Sequence, residues 1–198
     1  MVPIERPPNY VRHEYVSLLD DIRNDRRTQA PDAIFTPREW NGIGRVVSLN
    51  NLPNGKTDAN HQASGFLSTD LAEENWPWPT SDWAWRDRYA DRLRDYILGL
   101  LWFVQHDEEV PETIRLNARP WGLARDEYTD NGCFPRQPYG REGRRIMGEY
   151  LFTAHDALPI DGIAGSHRPP VHSDSITASH FHLDSHACRK REPNRIAL

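Results

Sequence analysis

Cysteine is almost missing from this chain: only Cys133 and Cys188 occur in 198 residues. That excludes a disulfide framework. It also excludes an iron–sulfur cluster held by this chain alone, which needs about four protein ligands. Lysine is as scarce, with Lys56 and Lys190 standing among 24 basic residues, so nearly every cation is an arginine. Such a skew follows codon composition more readily than function. Excess positive charge is absent too. The net charge is −5 and the isoelectric point about 6.0, which leaves no electrostatic footprint for nucleic acid. No apolar run approaches the roughly 20 residues of a membrane span, so no membrane partner is expected. The opening residues Met1-Val2-Pro3-Ile4-Glu5-Arg6 lack the apolar core of a signal peptide. The compartment stays open, with the cytoplasm as default, because an export signal would be lost with a missing N-terminus. A dinucleotide fingerprint is lacking as well. Gly42-Ile43-Gly44 continues into Arg45-Val46-Val47, without a third glycine and into a strand-like run, whereas the fingerprint opens a helix.

What remains is enough for one domain with a core, although mean hydropathy is low at −0.77 and 16 prolines foretell long loops. Tyr15 to Arg23 reads as a short helix with Val16, Leu19 and Ile22 on one face. Gln29-Ala30-Pro31-Asp32 and Thr36-Pro37 break regular structure beyond that helix. Gly44 to Asn50 reads as a strand, and Leu52-Pro53-Asn54-Gly55 as a turn. Residues 56 to 80 read as irregular. Thr80, Ser81 and Asp82 offer caps for a long helix from Trp83 to Asp107, with Trp85, Tyr89, Leu93, Ile97, Leu100 and Val104 on one face. Its second half is apolar nearly all round, the mark of a buried helix, and Pro111 stops continuation. Pro120 to Tyr139 is loop-rich. Ile146 to Phe152 alternates like a strand, residues 156 to 173 form a loop, and Ile176 to Leu183 suits a second strand.

Several groups of residues are candidates for chemistry. Arg141-Glu142-Gly143-Arg144-Arg145 puts three permanent cations in five residues. Arginine's fixed fork of donors suits a carboxylate, a phosphate or an electron-rich ring. The same run also reads as a salt-bridged strand end, with Glu142 pairing with a neighbouring arginine. On a strand, Arg141 and Arg145 share one face and Arg144 takes the other. His180, His182, His186 and Cys188 offer zinc-type ligands, but without the tight pair of a structural site, and no metal is assigned. Lys56, Asp58 and Asn60 alternate and could hydrogen-bond a sugar-like hydroxyl; an Asx-type turn accounts for them equally. Asp126 and Glu127 are neighbours whose side chains are expected to diverge. Trp76, Trp78, Trp83 and Trp85 interleave with prolines, which suits either core or a platform for sugar rings.

Taken in order, these segments resemble a family of FAD-dependent oxidoreductases that includes xanthan lyase-like proteins and, more distantly, heterodisulfide-reductase-A-like flavoproteins. The resemblance rests on Tyr139 with Arg141-Glu142-Gly143-Arg144-Arg145, on Gly148-Glu149-Tyr150 and on Thr153-Ala154-His155-Asp156. Further support comes from Lys56-Thr57-Asp58-Ala59-Asn60, from Gly99 to Asp107 with Val110-Pro111, from Trp121 to Tyr128, and from Asp174-Ser175-Ile176 with Leu183-Asp184-Ser185-His186. It covers roughly residues 45 to 190. Gly143 stands where the family usually has Ala or Ser.

The resemblance implies an α+β substrate-side domain of a two-domain flavoprotein, with one long buried helix, a small mixed sheet and long loops. Residues 1 to 41 are then an entry segment, 42 to 190 the central domain and 191 to 198 a frayed tail, with the flanking FAD-binding segments absent. It implies FAD as cofactor and a small organic molecule as substrate, giving up a hydride to the flavin in the complete protein. The missing FAD-binding segments, or a split-gene product carrying them, are the expected partner, and the chain alone is expected to be inactive. Arg141 and Arg145 would stabilise the reduced flavin, His182 or His186 would move a proton, and Lys56, Asp58, Asn60, Tyr139 and Arg144 would contact cofactor. The alternative is a stand-alone carbohydrate- or metal-binding module without redox activity.

Overall fold

Asp82 starts the longest helix. Its side chain accepts from the Trp85 amide at 2.8 Å, and the helix then runs over Trp83–His106, a cap of the kind that stabilises a helix by about 1 kcal/mol. The computed structural model describes residues 1–24, 42–61, 67–141, 143, 144, 146–153, 156 and 172–177, which fall into two units divided after Gly143. In the first unit the elements are strand β1 (Val2–Pro3), helix α1 (Ser17–Asn24), strands β2 (Val47–Leu52) and β3 (Lys56–His61), the long helix α2 (Trp83–His106), helix α3 (Glu112–Ala118) and strand β4 (Gly122–Leu123). The chain is α+β.

The helix periodicity holds. Tyr89, Leu93, Leu100 and Val104 are buried, while Trp85 and Ile97 are partly buried against them. The apolar second half is less uniformly covered than its composition suggests. Leu100 and Phe103 are fully buried, whereas Leu101 and Trp102 keep part of their surface. Helix α2 stops at His106, before Pro111 is reached, because Asp107 turns to extended backbone. There its carboxylate takes a two-pronged bond from Arg12, at 2.6 and 2.9 Å. Leu18, Leu19 and Ile22 of α1 and Ile114 and Ala118 of α3 complete the core. The buried Gln105 amide donates to the carbonyls of Ala118 and Trp121 at 3.0 and 2.9 Å, tying off the end of α3.

Two backbone approaches require glycine. A β-carbon on Gly99 would lie 2.3 Å from the Tyr15 hydroxyl, which itself donates to the Tyr96 carbonyl at 3.1 Å. One on Gly122 would meet the Val2 carbonyl oxygen at 2.3 Å, where β4 pairs with β1.

Three expectations change. The sheet is not mixed: among the described residues there are two separate two-stranded sheets, β1–β4 and β2–β3, both antiparallel. Residues 56 to 61 are not irregular but form β3, paired from Leu52↔Lys56 to Val47↔His61. The turn decides this: Asn54 and Gly55 both take left-handed backbone and fold the polar Lys-Thr-Asp-Ala-Asn stretch back along β2. Ile146 to Phe152 carries no strand among the described residues, and its apolar side chains are exposed. Alternation sets a face, but a strand also needs a ladder partner. The breaks at 29–32 and 36–37, the strand end beyond residue 177 and the tail from Lys190 lie outside the described residues.

Candidate functional site

The corner before the arginine run is built on an aromatic floor. Trp78 lies against the backbone of Gly140, where a β-carbon would come within 2.8 Å of its ring. Trp78 is held in turn by Tyr89, with ring centres 5.6 Å apart, and by Arg86. The Arg86 Nε donates to the Trp78 carbonyl at 3.0 Å. Its guanidinium sits 5.4 Å from the centre of the Trp78 ring and 4.9 Å from that of the Trp83 ring. Trp85 stacks on Tyr89 at 5.3 Å. The Pro-Trp-Pro run and the first turns of α2 therefore fix the position of Gly140. Arg141 follows in left-handed backbone with φ of 59° and is half-buried, while Tyr139 is exposed. A residue in that conformation bends the chain, so an extended strand does not start there. The expected strand face shared by Arg141 and Arg145 finds no support among the described residues. Arg144, in the second unit, is exposed. Arg145, His182 and His186 lie outside the described residues, as do Glu142, His180 and Cys188.

Lys56, Asp58 and Asn60 do share one face, that of β3. Each is placed as follows. The Lys56 ammonium is engaged by Asp126 at 3.0 Å and Glu127 at 2.5 Å. The Glu127 bond, then the Asp126 bond, raise the lysine pKa; the Lys56 bond holds Asp126 below the usual carboxylate range. The two neighbouring carboxylates thus converge instead of diverging, because one cation gathers both. Asp58 is exposed, and the Asn60 side-chain oxygen accepts from the His61 amide at 2.7 Å.

In the second unit, the Thr153-to-Asp156 turn is tightly closed. Asp156 accepts from the Thr153 amide at 2.6 Å and from its hydroxyl at 2.8 Å, and from the Tyr150 hydroxyl. These bonds, the Tyr150 one first, then the two from Thr153, hold the Asp156 pKa down at about 2. The His172 ring nitrogen Nε2 lies 3.1 Å from the Asp156 carbonyl oxygen. No group of three His, Cys, Asp or Glu side chains suited to a metal occurs among the described residues.

A dinucleotide's pyrophosphate rests on backbone amides at a helix N-terminus reached through glycines. The described residues do not provide that cradle. Gly42 and Gly44 are buried, and a β-carbon on Gly42 would lie 3.0 Å from the Asn117 backbone. They lead into a single 3-10 turn and then β2. The N-terminus of α2 is occupied by the Asp82 carboxylate, which would repel phosphate. Sequence reasoning missed Arg86 and the role of Trp78; the Pro-Trp-Pro spacing was the available signal.

The first unit is thus α+β, with Gly140, the residue before Arg141, packed against Trp78. The family described as FAD dependent oxidoreductase matches residues 6–197, nearly the whole chain, and the chain belongs to that family. No curated protein and no solved structure matches it. No described helix is long and apolar enough to cross a membrane.

Proposed function

We propose that this chain is the substrate-side part of a two-domain FAD-dependent oxidoreductase. In that reading an organic substrate gives up a hydride, and the flavin supplies the acceptor. The observation that carries it is the family match over residues 6–197. The pyrophosphate cradle comes from a partner segment bearing the glycine fingerprint, since the described residues do not fit that half of the cofactor. This chain's own contribution is the arginine segment. Arg141 directly follows Gly140, whose backbone lies against Trp78, and a guanidinium, always charged and with a fixed fork of donors, suits a substrate carboxylate or other electron-rich group. The motif order supports xanthan lyase-like proteins as nearer kin within the family. A carbohydrate-binding reading has one observation in its favour: Trp76 and Trp83 are 59% and 74% exposed.

Equilibrium dialysis tests the division of labour. The 198-residue chain alone is expected to leave FAD unbound at micromolar concentration. The same chain joined to polypeptide carrying the fingerprint is expected to retain flavin and to bleach it with substrate. Sub-micromolar binding by the chain alone would overturn the assignment.

A further inference from the structure

Asparagine precedes glycine three times in this chain, at 41–42, 54–55 and 131–132. In that pair the next amide nitrogen has no neighbouring side chain to shield it, so it is open to attack the asparagine side-chain carbon. Asn41 lies outside the described residues. The other two pairs stand in opposite surroundings. Asn54 and Gly55 are both exposed, and a β-carbon on Gly55 would meet nothing within 4 Å. Among the described residues, no hydrogen bond reaches the Asn54 side chain. Asn131 is half-buried and tied down at three points. Its side-chain amide donates to the Phe134 carbonyl at 3.0 Å. Its backbone N–H donates to the Tyr128 carbonyl at 2.8 Å, and its carbonyl accepts from the Phe134 amide at 3.2 Å. A β-carbon on Gly132 would lie 2.8 Å from the Arg94 guanidinium.

We infer that Asn54-Gly55 is a site of spontaneous deamidation, and that isoaspartate formed there loosens the β2–β3 hairpin. The Gly55 nitrogen bonds to the Asn54 side-chain carbon, its proton leaves with the side-chain nitrogen as ammonia, and a cyclic imide closes. Water then opens the ring at either carbonyl. One opening gives aspartate. The other gives isoaspartate, in which the main chain runs through the former side chain and gains a methylene. Water is the sole co-reactant. Asn54 and Gly55 take left-handed backbone, with φ of 64° and 68°, in the turn that sets Leu52 opposite Lys56. Aspartate suits that conformation as asparagine does. A longer main chain does not, because turn length sets the register of the strands it joins. The inference does not depend on the flavin reading.

Peptide mapping by mass spectrometry would follow Asn54 and Asn131 in one sample of the 198-residue chain, aged in mildly alkaline buffer. The bonds that hold Asn131 must open before it reacts, so Asn54 is expected to convert at least about fivefold faster. In strong urea the two rates are expected to come together, since the dipeptide is the same. Isoaspartate is expected at position 54, accompanied by faster amide exchange along β3 than in the fresh chain. Asn54→Asp adds the charge without the methylene, and its β3 is expected to exchange as in the fresh chain. Equal rates in the folded chain, or a faster Asn131, overturn the inference. So does a lead of Asn54 that persists in urea, which would place the cause in the local sequence. So does isoaspartate that leaves exchange along β3 unchanged, or an Asn54→Asp chain that loosens β3 as much.

Discussion

Two stretches of similar apolar content behave oppositely. Ile97 to Val104 lies on a helix whose backbone is satisfied from within, and Leu100, Phe103 and Val104 are fully buried. Ile146 to Phe152 is also rich in large apolar side chains, yet they face water and their backbone makes no described hydrogen bond. The difference is one of local against borrowed satisfaction. A helix makes its hydrogen bonds inside one segment, so apolar periodicity alone determines both its existence and its buried face. A strand takes its hydrogen bonds from elsewhere, so apolar alternation announces a face without naming what completes it.

The largest test of this contrast pairs one substitution in each stretch. Leu100→Asp buries an unpaired carboxylate at a position with 0% exposure. That costs several kcal/mol, comparable to the whole stability of about 5–15 kcal/mol of a small domain. Cooperative thermal unfolding of the first unit is expected to be lost. Met147→Asp, at 93% exposure, is expected to shift the melting temperature of the dilute chain by no more than an ordinary surface change, about 0.5 kcal/mol. Equal effects would show that the two stretches are not different in kind. Leu101, apolar and on the same helix, is only half-buried, and its change to Asp should fall between the two.

A smaller test concerns how the long helix accepts the N-terminal segment. Gly99→Ala puts a methyl group 2.3 Å from the Tyr15 hydroxyl. The ring must move and the bond to the Tyr96 carbonyl must lengthen. Overpacking of this kind costs about 1–3 kcal/mol, set against the gain of less than about 1 kcal/mol from replacing a mid-helix glycine by alanine. A net loss is expected in chemical denaturation. A net gain would mean that Tyr15 is free to shift and that residues 10–24 are held less firmly than the core packing indicates.

How much was legible in the sequence divides along the same line. Helix α2, its Asp82 cap and its buried face were readable because each rests on residues within a turn or two. The Pro53-Asn54-Gly55 turn was readable from its own chemistry, but β3 was not, because Lys56 to His61 has poor strand propensity and is set in place by the turn and by β2. At the candidate site, sequence identified Lys56, Asp126 and Glu127 as charged neighbours of the motifs. It could not show that one ammonium draws both carboxylates together from far along the chain, Glu127 lying 71 residues away. Nor could it show that Arg141 bends the backbone. Arg141 takes positive φ one residue beyond the Gly140–Trp78 contact, which joins residues far apart in the chain.

The smallest expected effect is also the most local, and it asks whether the second unit holds order of its own. Asp156 accepts from Tyr150 and from the amide and hydroxyl of Thr153, which lowers its pKa from the ordinary 3.8 to about 2. A carboxylate whose folded pKa is depressed contributes stability that is complete above its unfolded value and disappears as pH falls through the folded value. The Thr153-to-Asp156 turn is therefore expected to keep its bonds from neutral pH down to about the ordinary 3.8 and to lose them near pH 2. The Thr153 amide proton, followed by NMR through an acid titration, should titrate with that low midpoint. Asp156→Asn should abolish the titration and move the Thr153 resonance at every pH. A midpoint near the ordinary 3.8 would show that the turn is not closed in solution.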